Sequence, residues 1–283
     1  MSELVHHHRL DGFHFLVLDA PESRNALSPE MVKAIDAAVA AASADDIARA
    51  IVLRGAGHMF SAGGNIGNFS QRLAAAGADQ DPIADRNREF GAFLERFSTL
   101  DVPTVAVVEG AAIGGGLGLA CCCDFVIVAA DAKFALSETT LGIVPAQIAP
   151  FVVDRLGRST TSRLTLSGQR FDGRKALALG VADVVAETQD DVNACLARAL
   201  SEIGRCGPRA NRRFKRLMRD EDARVRRSAW LDEASRCFSE CMRDEGGEGI
   251  VSFREKRLAS WVRQVATDEV AGLLPVASKG EAS

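Results

Sequence analysis

A continuous apolar run that ends in a glycine turn constrains the fold more than any other part of the sequence. The run VPTVAVVEG (102–110) is short and rich in β-branched residues, a composition typical of a strand buried on both faces. The segment GGGLGLACCCDF, which begins at residue 114, follows it with the apolar periodicity of a helix. A buried strand that passes through glycines into a helix favours an α/β fold.

Strand and helix signals alternate along the first two thirds of the chain. Three more segments are interpreted as single strands: FHFLVLD (13–19), ARAIVLRGAG (48–57) and FVIVAADAKFAL (125–136). Ser28 is predicted as the N-cap of a helix, with Pro29 at its first position. Residues 70–99 are polar and alanine-rich, which indicates a further helical segment.

The character of the sequence changes near residue 206, where helical periodicity combines with dense mixed charge. We therefore expect an α/β core over residues 1–205 and a helical region over residues 206–283. The basic cluster of this second region comprises Arg209, Arg212, Arg213, Lys215, Arg216 and Arg219. Such a cluster can contact phosphates, but the acidic residues that follow it favour a solvated helix face.

Composition argues against several classes of partner. The formal net charge of −4 disfavours nucleic acid, since phosphate-binding faces are usually basic. No apolar run reaches the roughly 18 residues of a membrane helix, so no membrane partner is expected. Residues 1–23 lack the pattern of a signal peptide, and the cytoplasm is the expected location.

The seven cysteines do not form a recognisable framework. Three are consecutive (121–123), which fits neither a set of disulfides nor the CxxC spacing of zinc sites. Cys237 and Cys241 are four residues apart, with no second pair near them in sequence. We expect reduced cysteines that pack as small apolar side chains, and no metal site. The run HHH (6–8) is interpreted as a surface segment.

Two glycine-rich turns each follow a predicted strand: FSAGGNI (60–66) and GAAIGGG (110–116). The second does not match the dinucleotide-binding GxGxxG spacing, and the chain has no P-loop GKS or GKT. One interpretation is a packing element between strand and helix. The other is an oxyanion hole, because unpaired N–H groups at a helix start can stabilise the oxygen of an enolate formed from an acyl thioester. The residues alone leave both interpretations open.

Several segments occur in the order found in the enoyl-CoA hydratase/isomerase (crotonase) superfamily, which the chain resembles over nearly its whole length. They are FSAGGNI, GAAIGGGLGLACCCDF, KFALSETTLGIVPAQIAPFVVDRLG, LSGQRFDGRKALALGVADVV and EGIVSFREKR. The resemblance implies an α/β spiral of ββα repeats with a helical C-terminal trimerisation region. It also implies acyl-CoA thioester substrates, homo-oligomers that are trimers or dimers of trimers, and no cofactor other than the coenzyme A of the substrate.

The resemblance assigns the two glycine turns to the thioester. It implies that the N–H groups of Gly64 and Gly115 form the oxyanion hole. The residue after Gly64 is an aspartate in the family and is Asn65 here, which removes one charge beside the turn.

Other substrate contacts follow from the same resemblance. Ala62 matches a residue whose backbone touches the CoA adenine. Phe253 and Lys256 match C-terminal residues that approach CoA, often from a neighbouring subunit, although ordinary helix positions explain them equally well. Residues 66–98 are expected to roof the acyl pocket.

Hydratases of this family typically carry two glutamates, of which this chain retains one. The position of the first, two residues after GGG, is Gly118, and the second is Glu138 in ALSETTLGIVP. A surface glutamate is the alternative interpretation of Glu138, but the surrounding motif favours a catalytic role. One carboxylate suffices to move a proton between C2 and C4, whereas addition of water needs a base for the water and a proton for C2.

The wider motifs favour hydration. Within the family the chain resembles the isohexenylglutaconyl-CoA hydratases and, more weakly, the methylglutaconyl-CoA hydratases. We therefore hypothesise a hydro-lyase that adds water to a branched, glutaconyl-type enoyl-CoA. The carboxylate of the substrate, or Gln147, then helps to hold the water, unless Gln147 only starts a helix. A Δ3,Δ2-enoyl-CoA isomerase with Glu138 as the sole proton shuttle is the second hypothesis, and a thioester hydrolase is a distant third. A non-catalytic acyl-CoA-binding oligomer is a hypothesis of a different class.

Overall fold

The computed structural model describes residues 4–64, 81–219 and 221–263, apart from the side chains of Gln189, Glu221 and Ala223. Asn65 and residues 66–80, part of the segment expected to roof the pocket, lie outside the described residues. The described residues form an α/β structure, as the sequence predicts, and their strands are divided between two sheets.

The main sheet has six strands in the described residues. In spatial order they are β1 (Val5–Leu10), β2 (Phe13–Leu18), β3 (Ala50–Gly55), β4 (Thr104–Val108), β6 (Phe125–Ala129) and β9 (Val184–Ala186). The first two pair antiparallel, and all other neighbours are parallel. Every residue of β4 is buried, as its continuous apolar sequence predicts. The histidine run 6–8 is part of β1, with His7 and His8 exposed.

A smaller sheet consists of β5 (Ala111–Ile113), β7 (Lys133–Ala135) and β8 (Arg170–Phe171), with β7 in the centre. Strand β7 is parallel to β5 and antiparallel to β8. The prediction of one strand over residues 125–136 is therefore wrong. The chain turns after β6, where the N–H of Ala132 donates a hydrogen bond to the carbonyl of Ala129 at 3.0 Å, and β7 then joins the other sheet.

Helices cover both faces of the main sheet. They are α1 (Pro29–Ser43), α2 (Pro82–Ser98), α3 (Gly115–Cys121), α4 (Ala149–Ser167, interrupted at Gly157), α5 (Gly173–Leu179), α6 (Gln189–Gly204), α7 (Pro208–Leu217), α8 (Glu221–Arg243) and α9 (Glu245–Arg254). The predicted start of α1 is confirmed, since Ser28 Oγ accepts a hydrogen bond from the N–H of Met31 at 3.2 Å. None of the helices in the described part of the chain is long and apolar enough to cross a membrane.

Side chains that alternate along the strands divide the core in two. One face of the main sheet, which includes Leu53 and Val108, packs against α1, α2, α3 and α4, with Phe93 among the buried residues. The opposite face, which includes Val52, packs against α6 through residues such as Leu196. Both faces are thus covered, as expected for parallel strands.

The basic residues of α7 attach this helix to the core. Lys215 Nζ lies 2.5 Å from Asp124 Oδ2, and Arg216 Nε lies 2.6 Å from Asp101 Oδ2. Arg219 also pairs with Asp101. The basic cluster is therefore not simply the solvated face that the sequence suggested, because these cations bind carboxylates beside the ends of β4 and β6.

Helix α8 is fastened to the first turn of α2 through one carboxylate. Asp81 is the N-cap of α2 and accepts hydrogen bonds from the N–H groups of Ile83 and Ala84 at 3.2 and 3.1 Å. It also accepts a hydrogen bond from Ser239 Oγ at 2.6 Å and forms an ion pair with Arg243 at 2.8 Å. The Arg243 guanidinium holds the pKa of Asp81 well below its ordinary value of 3.8.

Replacing Asp81 with alanine removes the helix cap and the partner of Arg243 together. We expect Asp81→Ala to lower the free energy of unfolding at neutral pH by about 1–3 kcal/mol, as estimated from caps and charged hydrogen bonds. Because the pKa of Asp81 is lower in the folded chain than in the unfolded chain, this contribution is complete above about pH 4 and declines at lower pH. Urea unfolding of wild type and variant at two pH values measures both effects. The exposed Asp85→Ala is the control, and an equal loss in both variants would contradict the special role of Asp81.

Candidate active site

The two glycine turns lie against each other at the carboxyl ends of β3 and β4. The N–H of Ser61 donates to the carbonyl of Ala111 at 3.0 Å, and the N–H of Ile113 donates to the carbonyl of Ser61 at 3.1 Å. Gly63 has a φ of +85°, and a β-carbon there would overlap the carbonyl oxygen of Ile113 and lie 3.3 Å from the nitrogen of Gly115. Glycine at residue 63 therefore allows an approach that other residues prevent.

Buried polar side chains hold the first turn in place. Asn25 is fully buried, and its Nδ2 donates hydrogen bonds to the carbonyls of Met59 at 2.6 Å and Ala56 at 3.1 Å. Ser61 Oγ donates to the carbonyl of Asn25 at 2.8 Å and accepts from the N–H of Gly63 at 3.1 Å. These bonds satisfy the polar groups inside the turn and fix its backbone.

Two backbone N–H groups in these turns have no acceptor among the described residues. Gly115 is the first residue of α3, and neither its N–H nor that of Gly64 donates to another described residue. A β-carbon at Gly64 would meet no described atom within 4 Å, so this backbone borders open space. The contact between the turns brings into one region the two residues that the resemblance assigns to the oxyanion hole.

Glu138 lies directly beside this region. It begins a 3₁₀ turn (Glu138–Leu141) that follows β7. Its Oε1 lies 2.6 Å from the point that a β-carbon of Gly114 would occupy, and Gly114 has a φ of +52°. Glycine at residue 114 thus gives the carboxyl group room against the backbone immediately before α3.

The carboxyl group of Glu138 is enclosed by the protein. The residue as a whole is half-buried, but Oε2 is out of contact with solvent and has no hydrogen-bond partner among the described residues. Burial raises the pKa of Glu138 to about 7, and a hydrogen bond from its own backbone N–H acts weakly in the opposite direction. A carboxyl group with such a pKa can take up and return a proton near neutral pH.

An isoleucine fills the space beside Gly118, the position at which family hydratases with two glutamates carry the first of them. Gly118 is buried on the next turn of α3, and a β-carbon there would overlap Cγ2 of Ile148 and lie 2.6 Å from its Cβ. The α-carbon of Gly118, expected to contact substrate, therefore faces Ile148. A glutamate at this position requires a different packing of the loop before α4.

Helix α2 covers the start of α3. The ring carbon Cζ of Phe90 lies 3.3 Å from the point that a β-carbon of Gly115 would occupy, and Cδ1 of Leu27 lies 3.5 Å from it. The described part of the segment expected to roof the pocket thus places an aromatic side chain over the turn at residues 114–115, which the resemblance assigns to the oxyanion hole (the oxyanion turn).

Gln147 lies in the loop that precedes α4. Its side chain is buried, and Nε2 donates a hydrogen bond to the carbonyl of Leu231 in α8 at 2.9 Å. The residue does not start the helix, since α4 begins at Ala149.

The remaining residues expected to bind substrate do not contact Glu138 in the described structure. Ala62 lies in the first glycine turn, where its N–H donates to the carbonyl of Arg24 at 2.9 Å. Phe253 is 52% exposed on α9, and Lys256 is exposed just beyond the end of this helix. No described contact joins Phe253 or Lys256 to the glycine turns.

Helix α9 packs against the 3₁₀ turn that begins at Glu138. The sequence analysis did not predict this contact. A β-carbon on Gly249 would overlap the carbonyl oxygen of Leu141, and one on Gly142 would lie 2.6 Å from Cβ of Glu245. The glycines of EGGEGI (245–250) could have indicated a close approach of α9 to another element, but only the fold shows which element this is. Gly63 and Gly114 were missed for the same reason.

All seven cysteines are free. Cys121 and Cys123 are buried, and burial raises the pKa of the Cys121 thiol to about 12. These thiols are uncharged and pack in the core, as expected. In the part of the chain that the structure describes, no three His, Cys, Asp or Glu side chains come together as metal ligands.

Comparison with known proteins identifies the family of this site. The sequence model of the enoyl-CoA hydratase/isomerase family matches residues 11–264. The chain belongs to this family. A putative enoyl-CoA hydratase of Thermus thermophilus is 33% identical over 201 residues, which are 71% of this chain and 78% of the relative. Human mitochondrial methylglutaconyl-CoA hydratase is 30% identical over 252 residues, which are 87% of this chain and 72% of the relative.

Similar solved structures confirm the predicted α/β fold of the crotonase type. The structure of Pseudomonas aeruginosa AtuE has a TM-score of 0.73 at 41% identity and covers 92% of this chain and 100% of its own. An enoyl-CoA hydratase from Mycobacterium avium has a TM-score of 0.80 at 26% identity and covers 93% of this chain and 100% of its own. The protein is thus an enzyme of the enoyl-CoA hydratase/isomerase family, and acyl-CoA thioesters are the substrates that fit this family.

The packing of Ile148 on Gly118 predicts that even one added methyl group at residue 118 destabilises the folded protein. We expect Gly118→Ala to lower the free energy of unfolding by about 1–3 kcal/mol, because Ile148 must move. The control is Gly247→Ala in α9, where a β-carbon meets nothing within 4 Å. Alanine favours a helix, so this control is expected to be neutral or to stabilise by up to about 1 kcal/mol. Urea unfolding measures both, and a Gly118→Ala variant as stable as wild type would show that Ile148 leaves room.

Proposed function

We propose that the protein adds water across the α,β double bond of a branched, glutaconyl-type enoyl-CoA thioester. The observation that carries this proposal is the position of Glu138. Its buried carboxyl group, with a pKa of about 7, lies beside the start of α3, near two backbone N–H groups that have no acceptor in the described part of the chain. A base and a pair of oxyanion donors are the parts that this addition requires.

Each group has one part in the proposed reaction. The N–H groups of Gly64 and Gly115 bind the thioester oxygen and stabilise the charge it acquires in the enolate, with about 3–4 kcal/mol for each donor. Glu138 takes a proton from water as the water oxygen bonds to C3. The same carboxyl group then returns the proton to C2, and the carbonyl re-forms.

Two relatives support a substrate with a second carboxylate. Human methylglutaconyl-CoA hydratase and Escherichia coli 2,3-dehydroadipyl-CoA hydratase are both named for thioesters of dicarboxylic acids, and the second is 29% identical to this chain over 259 residues. This chain has glycine in place of one family glutamate. A carboxylate on the substrate can supply part of the polar environment that the missing side chain would provide.

A Δ3,Δ2-enoyl-CoA isomerase is the second candidate, and the contact of Ile148 with Gly118 favours it. Isomerisation needs no added water and only one group that transfers protons. Glu138 then removes a proton from C2 and returns it to C4, or the reverse, while the same oxyanion donors stabilise the dienolate.

We also propose that the chain forms a trimer or a dimer of trimers through its C-terminal region. Exposed apolar side chains there support this proposal: Phe214, Leu217, Met218, Val225, Trp230, Val251, Phe253, Leu258, Trp261 and Val262. In such an assembly Phe253 and Lys256 can reach the CoA of a neighbouring subunit, while Ala62 meets the adenine. The proposed reaction is redox-neutral and needs no cofactor besides the substrate's own coenzyme A.

Glu138→Gln keeps the size of the side chain and removes its acid–base function. We expect turnover to fall by at least about a hundredfold while the affinity for acyl-CoA stays within about threefold. In wild type, kcat/KM should decrease as the pH falls below about 7, because protonation of Glu138 removes the base. Steady-state kinetics and calorimetric titration measure these quantities, with the exposed Glu89→Gln as control. Turnover close to that of wild type in Glu138→Gln would exclude Glu138 as the proton carrier.

An assay with three thioesters separates the candidate functions. We expect the absorbance of the conjugated enoyl thioester to decrease with 3-methylglutaconyl-CoA, because hydration removes the double bond. An increase with a 3-enoyl-CoA, without any decrease with crotonyl-CoA or the glutaconyl thioester, would instead identify the isomerase. No change with any of the three, although acyl-CoA binds, would contradict both and favour a protein that only binds acyl-CoA.

A further inference from the structure

The loop before α4 carries a buried amide whose oxygen has no partner. Gln147 is 2% exposed, and its Nε2 donates to the carbonyl of Leu231 at 2.9 Å. A carbonyl only accepts, so this bond sets the orientation of the amide. The other end, Oε1, is buried and lacks a hydrogen-bond partner among the described residues.

This amide oxygen rests on the face of α2 that covers the oxyanion turn. A β-carbon on Gly91 would overlap Oε1 of Gln147, so the oxygen lies directly against the helix backbone. The preceding residue, Phe90, is the one whose ring contacts Gly115. Gln147 Oε1 therefore contacts α2 at Gly91, one residue after Phe90, which covers the proposed oxyanion donor Gly115.

A second buried oxygen lies on the same helix. Oδ1 of Asn87 is out of contact with solvent and has no hydrogen-bond partner in the described part of the chain. Asn87 precedes Gly91 by four residues, and β-carbons at this spacing are about 5–6 Å apart on one helix face. Two neighbouring acceptors without donors are unfavourable in a folded chain unless a ligand supplies the donor.

The packing beside Gln147 leaves Gly118 without space for a polar side chain. Ile148 fills the space next to Gly118, so α3 has no side chain with which to hold a water molecule. Of the two positions that carry glutamates in many family members, only Glu138 retains a polar side chain. A second polar group for the water must come from another element.

We propose that Oε1 of Gln147 and Oδ1 of Asn87 bind the water molecule that is added to the double bond, an inference that rests on the proposed hydratase function. The water donates one hydrogen to this pair of amide oxygens and the other to Glu138. When its oxygen bonds to C3, the hydrogen directed at Glu138 transfers as a proton, and the other stays on the new hydroxyl group. Glu138 then protonates C2, so the product contains every atom of the water.

The amides orient the water but accept no proton, because a neutral amide oxygen is not a base. This division of roles gives a test. Formation of an enolate from a saturated thioester uses Glu138 and the oxyanion donors but adds no water. Exchange of the α-hydrogens of glutaryl-CoA in D₂O therefore reports on the rest of the site separately.

Asn87→Leu is the most informative variant, because Asn87 Oδ1 has no hydrogen-bond partner in the described structure and the substitution therefore removes no bond of this oxygen within the protein. If Asn87 is merely structural, leucine leaves the rates unchanged and the thermal stability equal or higher. If it binds the water, hydration of 3-methylglutaconyl-CoA falls by at least about tenfold. Deuterium exchange into glutaryl-CoA, measured by mass spectrometry, then stays within about twofold.

Gln147→Met is the second variant, with Glu89→Gln on α2 as the matched control. Loss of hydration with exchange retained, in either amide variant, supports the inference. Hydration and exchange that fall together, or hydration unchanged in both variants, overturn it while the hydratase function stands. A wild-type enzyme that exchanges hydrogen but hydrates none of the thioesters overturns the hydratase function and this inference with it.

Discussion

The approach of the two glycine turns is the contact on which the rest of the site depends. Gly63 lies so close to the carbonyl of Ile113 that no β-carbon fits, and this closeness brings the backbones of Gly64 and Gly115 into one region. Buried hydrogen bonds of Asn25 and Ser61 hold the described part of the turn at residues 60–66 in place. The core of the protein therefore holds both N–H groups in place, so that in the proposed reaction they need no rearrangement to meet a developing charge.

The acid–base group depends on the same backbone. Gly114 leaves space for the carboxyl group of Glu138, and enclosure there raises its pKa to about 7. In the proposed reaction this burial matters, because an ordinary exposed glutamate is a weaker base at neutral pH. The fit of Ile148 against Gly118 leaves no room for a glutamate at residue 118 in this packing.

The C-terminal helices belong to the site although they carry none of its proposed acid–base or oxyanion groups. Helix α9 packs against the turn that follows Glu138, and α8 binds both the start of α2 and the amide of Gln147. Since α2 places Phe90 over Gly115, the C-terminal helices contact the elements that border the candidate site. The division into a core over residues 1–205 and a helical region over residues 206–283 stays a prediction from the sequence.

The sequence by itself determined the local elements and predicted candidate residues of the site. Continuous apolar residues predict β4, Ser28 predicts the start of α1, and the motif around Glu138 identifies the remaining carboxylate, because each signal lies within a few neighbouring residues. The tertiary structure decided the rest. It divided residues 125–136 between two sheets, set Ile148 against Gly118 and turned the amide of Gln147 towards α8. These features join residues that are distant in sequence, and their geometry exists only once the core has packed.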